Sequence, residues 1–87
     1  MIFNYVTGPA HGWLMVTKTA FNNLTPDLYV SAYSYESDLM LYLEEDCDMP
    51  RFLNALDQDE IEYQVIENIV DDESPIRNLP SYQGAAA

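Results

Sequence analysis

Positive charge, glycine and cysteine are all scarce in this chain. Three Lys or Arg residues face 15 Asp or Glu, there are three glycines, and Cys47 is the single cysteine. One cysteine excludes an intrachain disulfide framework and suits a reducing cytosol, so a cytoplasmic protein is expected. No stretch approaches the ~18 apolar residues of a membrane helix, and no basic start leads into an apolar run as in a secretory leader. With so little glycine, the phosphate-cradling motifs G-x-G-x-x-G and the P-loop are missing; G-x-S-x-G, C-x-x-C and H-E-x-x-H are missing too. No cofactor and no small-molecule substrate are therefore suggested.

Eighty-seven residues make one domain, able to bury roughly 60–65% of the surface of its extended chain. Residues 1–83 carry the patterned sequence, and Gly84-Ala85-Ala86-Ala87 reads as a frayed tail or a cloning scar.

The acids are distributed unevenly. None precedes Asp27, whereas Asp27 to Glu73 holds all 15 with one base, Arg51, a net of −14. Such a field repels nucleic acid and anionic membranes and attracts basic partners. It also costs stability by self-repulsion, which points to a use beyond folding. Solubility alone is the plainer explanation.

Tyr29 to Tyr35 is rich in Tyr and Val without Gly or Pro, and Leu39 to Leu43 is a second run suited to a strand. Glu36, Ser37 and Asp38 between them predict a hairpin turn. With Glu36-Ser37 as the loop, Ala32 opposes Leu41 and Val30 opposes Leu43. That register gathers Val30, Ala32, Ser34, Leu39, Leu41 and Leu43 on one face and the tyrosines with Met40 and Glu44 on the other.

Upstream, Met1 to Val6 is a short strand or an irregular lead-in, and Gly8 to Gly12 a turn. Trp13 to Val16 is a buried strand. Thr17 or Thr19 caps a two-turn helix with Ala20, Phe21 and Leu24, ended by Thr25-Pro26. Downstream, Asp48 is the expected cap of a second helix, with Pro50 in its first turn. Met49, Phe52, Leu53 and Leu56 form its apolar stripe. Asp57 and Asp59 follow at its C-terminus, where negative charge opposes the helix dipole. Alternation in Ile61 to Val65 predicts a strand to about Glu67, against a helical alternative over Ile61 to Val70. Asp71 to Pro75 is a solvated loop, and Ile76, Leu79 and Tyr82 anchor an extended tail.

Strand, helix, strand, strand, helix, strand is the βαββαβ order of a ferredoxin-like α+β fold, or a looser variant. A four-stranded antiparallel sheet would carry both helices on one face and leave the other open.

Chemistry is thinly represented. His11 sits in a turn far from any sequence partner. Cys47 lies among Glu44, Glu45, Asp46 and Asp48, whose charges disfavour a thiolate. This acidic loop and Asp57 to Glu60 lack the glycine of a calcium loop, so no metal site is assigned. No catalytic residue is assigned either. RNA binding through sheet aromatics would require basic residues that are missing.

A surface remains. Tyr29, Tyr33, Tyr35 and Tyr42, beside Glu44, Glu62 and Gln64, form the expected partner-binding face, flanked by the acidic loop Glu45, Asp46 and Asp48. The expected function is a non-enzymatic module that occupies a basic protein surface, in its strongest form as a nucleic-acid mimic. One alternative is a homodimer joined through the tyrosine face. Another is a small metal-binding or enzymatic domain centred on His11, Cys47 and the carboxylates of the Glu44 to Asp48 loop.

Overall fold

The computed structural model describes residues 1–70 and 75–82, save the side chains at 75 and 77. The loop expected at 71–74 and the tail at 84–87 lie outside the described residues. The strands are β1 (Ile2–Thr7), β2 (Gly12–Thr17), β3 (Tyr35–Glu36), β4 (Met40–Glu44) and β5 (Gln64–Ile69). Helix α1 (Lys18–Leu24) follows β2, α2 (Asp48–Gln58) follows β4, and a 3-10 turn covers Pro75–Asn78.

The fold is α+β, with two helices on one face of a mixed sheet in a loosely ferredoxin-like arrangement. The sheet has five strands rather than four, in the order β3-β4-β2-β1-β5, and β5 runs parallel to β1. The extra strand is β1, from the segment whose sequence leaves strand and lead-in undecided. Removing it leaves β3-β4-β2-β5, the order of the ferredoxin-like pattern. It forms a hairpin with β2 through the Gly8 to His11 turn and stands between β2 and β5, so one parallel pair appears.

Alternation along the strands sends Phe3, Leu14, Val16, Leu41 and Leu43 into one buried cluster with Phe21, Phe52 and Leu56. Phe52 sits at its centre, edge-on to Phe3 at 5.4 Å and stacked on Phe21 at 5.6 Å. Thr17, one of the two sequence candidates, caps α1 by accepting from Ala20 N at 3.1 Å.

The first half of the expected hairpin is different. Only Tyr35 and Glu36 pair, Tyr35 with Tyr42 and Glu36 with Leu41, and the loop is Asp38-Leu39. The pairing is shifted by an even number of residues, so Tyr35 and Tyr42 still share a face while Leu41 and Leu43 enter the core. Leu39, expected in the core, is exposed at the turn. The stretch from Leu28 to Ser34 is a looped segment rather than a strand. Its serines bond to Asp48 and to local backbone, and such bonds compete with a strand ladder.

Two further boundaries move. Cys47, without a side-chain cap bond, precedes α2, and Asp48 is the first helical residue rather than the cap. At the other end Ile61 N donates to Leu56 O and Glu60 N to Asp57 O, the paired bonds of a Schellman stop. Glu60 holds the left-handed position, φ 57°, that usually falls to glycine. This stop delays the last strand to Gln64–Ile69, excluding the helical alternative.

The face away from the helices is not bare. Val70 N donates to Thr7 O at the upper end of β5, whereas Pro80 O accepts from Glu36 N along β3 on the opposite edge. Ser81 then bridges Tyr35. Trp13, which alternates with the core residue Leu14 and so lies on this face, is 3% exposed and Ile76 is 7% exposed, although neither belongs to the helix-side cluster, against which Tyr82 packs. The expected open face is therefore closed at Trp13, and residues 80–82 lie along the β3 edge.

Truncating Phe52 to Ala should cost about 3–5 kcal/mol in urea unfolding. Ile69→Ala, on exposed β5, should stay within roughly 0.5 kcal/mol of the parent.

Candidate functional site

At the upper end of the sheet a cleft of about 370 Å³ lies between the start of β2, the 32–35 segment and the turn after β4. His11, Trp13, Tyr33 and Tyr35 supply aromatic walls, and Glu44, Asp46 and Cys47 the acidic side. Trp13 alternates with the core residue Leu14, so it points away from the helices, yet it is only 3% exposed. Its ring meets Tyr35 edge-on at 5.1 Å and stacks with His11 at 5.9 Å. Its buried Nε1 has no hydrogen-bond acceptor among the described residues.

A buried polar network sets the cleft's shape. Asp48, 1% exposed, accepts from Ser31 N at 3.0 Å, Ser31 Oγ at 2.6 Å and Ser34 Oγ. Arg51 also donates to it, at 3.1 Å. Ser34 Oγ in turn accepts from Glu44 N at 2.9 Å, which joins the end of β4 to the 31–34 segment. Glu44 is 9% exposed and its Oε2 accepts from Asp46 N and Cys47 N at 2.8 and 2.9 Å. Glu44, not Asp48, therefore satisfies the backbone donors leading into α2.

Glu45 turns to the other side of the sheet, where Tyr5 donates its hydroxyl hydrogen bond to Glu45 Oε2. Burial, reinforced by that bond, pushes the Tyr5 hydroxyl up to about 12. Gly12 makes the approach possible, because a Cβ there would lie 2.2 Å from the Tyr5 oxygen. At Cys47, burial and a hydrogen bond with Glu44 raise the thiol pKa, with the charges of Glu44, Asp48 and Asp46 adding to it. A neutral thiol is a poor nucleophile even with His11 nearby. Among the described residues no three His, Cys, Asp or Glu side chains converge to hold a metal ion, and no helix is long and apolar enough to cross a membrane.

The residues expected on one face are divided. Tyr33, Tyr35, Glu44 and Asp46 meet in the cleft. Tyr42 is half-buried beside Tyr35. Tyr29 lies on a loop under Arg51, whose guanidinium sits 5.4 Å from its ring centre. Glu62 and Gln64 border a separate open trough with Met1, Ile2, Asp57 and Glu60. Glu45 and Asp48 are held by Tyr5 and the serines, so Asp46 alone of the three is exposed. His11 and Cys47, grouped with the acidic loop only in the metal or enzymatic alternative, stand here beside Glu44 and Asp46, whereas sequence reasoning does not place Trp13 on this surface; the unique tryptophan just beyond a glycine turn is the available signal.

Comparison with known protein families, characterised proteins and solved structures finds no match for this chain.

Asp48→Ala strands several buried donors and should cost about 3–5 kcal/mol in chemical denaturation. Because the folded Tyr5 pKa lies above its ordinary value of 10.0, its contribution to stability is complete below about pH 10. It is lost as pH rises towards about 12. Burial and a hydrogen bond with Asp57 raise the Tyr63 hydroxyl as well, so an alkaline absorbance titration should show late tyrosines, of which Tyr5→Phe removes one.

Proposed function

We propose that the chain is a non-enzymatic acidic module that occupies a basic surface on a partner protein, in its strongest form as a mimic of nucleic acid. The observation that carries this reading is the end of α2. Asp57, Asp59, Glu60 and Glu62 stand exposed in succession where negative charge opposes the helix dipole. Glu60 does so in a backbone conformation that glycine would adopt more easily. Asp57 has a hydrogen bond with Tyr63, but four exposed acids gathered where negative charge opposes the dipole suggest selection for charge rather than stability.

The remaining charges support the same reading. Asp27, Asp38, Asp46 and Glu67 are also exposed, and no ion pair with a described cation engages them. Lys18 and Arg51, by contrast, are occupied by Glu36 at 2.7 Å and Asp48 at 3.1 Å. Among the described side chains little positive potential is left to interrupt the acidic surface, so a basic partner would meet it by long-range attraction. Tyr35 and Tyr42 are half-buried and Tyr29 stands apart on a loop under Arg51, which leaves a tyrosine-face homodimer with less surface than its sequence suggested.

A basic protein captured at low salt should elute steeply with rising salt and be displaced by DNA or RNA. The variant Asp57→Asn/Asp59→Asn/Glu60→Gln/Glu62→Gln should bind it roughly thirtyfold more weakly, at about 0.5 kcal/mol per exposed charge pair. The same variant should be more stable than the parent to urea, and Glu60→Gly alone should add about 0.5–1 kcal/mol. Binding insensitive to both salt and nucleic acid would overturn the proposal.

A further inference from the structure

We infer that the cleft formed by Trp13, Tyr33, Tyr35 and Asp46 is a socket for an arginine side chain presented by the basic partner. The inference rests on the reading of the chain as an acidic binding module and names what one part of it would grip.

The chain already contains an arginine held in this way. Arg51 lies over the Tyr29 ring at 5.4 Å and pairs with the Asp48 carboxylate at 3.1 Å. An aromatic face beside a carboxylate is thus a working guanidinium holder in this molecule. The cleft repeats the combination on a larger scale. Trp13 and Tyr35 meet at 66° to form a corner, and Tyr33, 71% exposed, stands at the mouth. Asp46 is exposed at the acidic side, while Glu44 is fixed by two backbone donors. No described Lys or Arg lines the space.

The chemistry selects among cations. Ring faces attract a cation through their quadrupole, and tryptophan does so best. A guanidinium is planar, weakly hydrated and able to stack while its fork reaches a carboxylate; an ammonium gives up more hydration to enter aromatic walls. An arginine within a peptide also brings a backbone carbonyl. Trp13 lines the same cleft, and its buried Nε1 lacks an acceptor among the described residues; such a donor is costly to leave unmet. A free inorganic cation would supply neither the plane nor the acceptor.

Trp13 is the only tryptophan, so its fluorescence and its indole N–H resonance report on the cleft directly. The full chain is titrated with a capped Ala-Arg-Ala tripeptide, its lysine counterpart and its citrulline counterpart, which keeps the shape without the charge. The arginine peptide should shift both Trp13 signals saturably, bind at least fivefold more tightly than the lysine peptide, and lose binding when citrulline replaces arginine. Tyr33→Ala and Asp46→Asn, both at exposed positions, should each weaken it roughly fivefold.

Equal binding of the citrulline peptide, or shifts that bypass Trp13, would overturn the socket. Binding seen only in Arg77→Ala would make the chain's own arginine the occupant and likewise overturn it. Salt-sensitive capture of a basic protein is measured alongside. If capture persists while the tripeptide fails, the socket falls and the acidic module stands. If the tripeptide binds without capture, the acidic module falls and the arginine socket stands.

Discussion

The buried carboxylate of Asp48 is the constraint on which the upper half of this molecule depends. A charge at 1% exposure is tolerable only when hydrogen bonds replace its water. Ser31 provides two of them, Ser34 a third and Arg51 a fourth. The bonds fix three pieces of chain at once: the first turn of α2, the loop from Leu28 to Ser34, and, through Ser34 Oγ to Glu44 N, the end of β4. Two of those pieces carry cleft residues, Ala32 and Tyr33 on the loop and Glu44 at the end of β4. The site is thus held by side-chain hydrogen bonds, and a sheet ladder contributes only where Tyr35 and Glu36 pair with β4.

The carboxylates fall into two physical populations. Asp48 and Glu44 are desolvated and satisfied by serine hydroxyls and backbone donors, so they contribute shape. The acids at the end of α2 and on the loops are solvated and contribute potential. A mean charge density cannot separate these roles, although they respond oppositely to substitution. Removing a buried acceptor orphans its donors, whereas removing an exposed acid relieves repulsion.

This division also explains how much is legible in the sequence. Period and spacing work wherever the core decides: Phe52 and Leu56 on the stripe of α2, Leu41 and Leu43 across from the tyrosines, and Thr17 beginning α1. The hairpin faces agree although the register is displaced, because an even shift preserves alternation. The stretch 28–34 departs from its strand-like pattern for a reason no local window contains. Its β propensity is genuine, but Ser31 and Ser34 find their acceptor 17 and 14 residues away at Asp48. The candidate site is legible in part for the same reason. Tyr33, Tyr35, Glu44 and Asp46 stand out as tyrosines and acids, whereas His11 and Trp13 join them only because β2 lies beside β4.

The interposed strand β1 carries the last consequence. By standing between β2 and β5 it moves β5 one strand further from β3, so Val70, at the end of β5, and Pro80, beside β3, stand at opposite edges of a five-stranded sheet. Trp13, on the face away from the helices, and Ile76 are both buried outside the helix-side core. A broad sheet-to-sheet contact is correspondingly disfavoured. What stays accessible is the upper rim, where the exposed Tyr33 and Asp46 border the cleft, together with the acidic end of α2. The inserted strand thus widens the sheet, while the exposed tyrosine and acid of the candidate site gather at its rim rather than across its face.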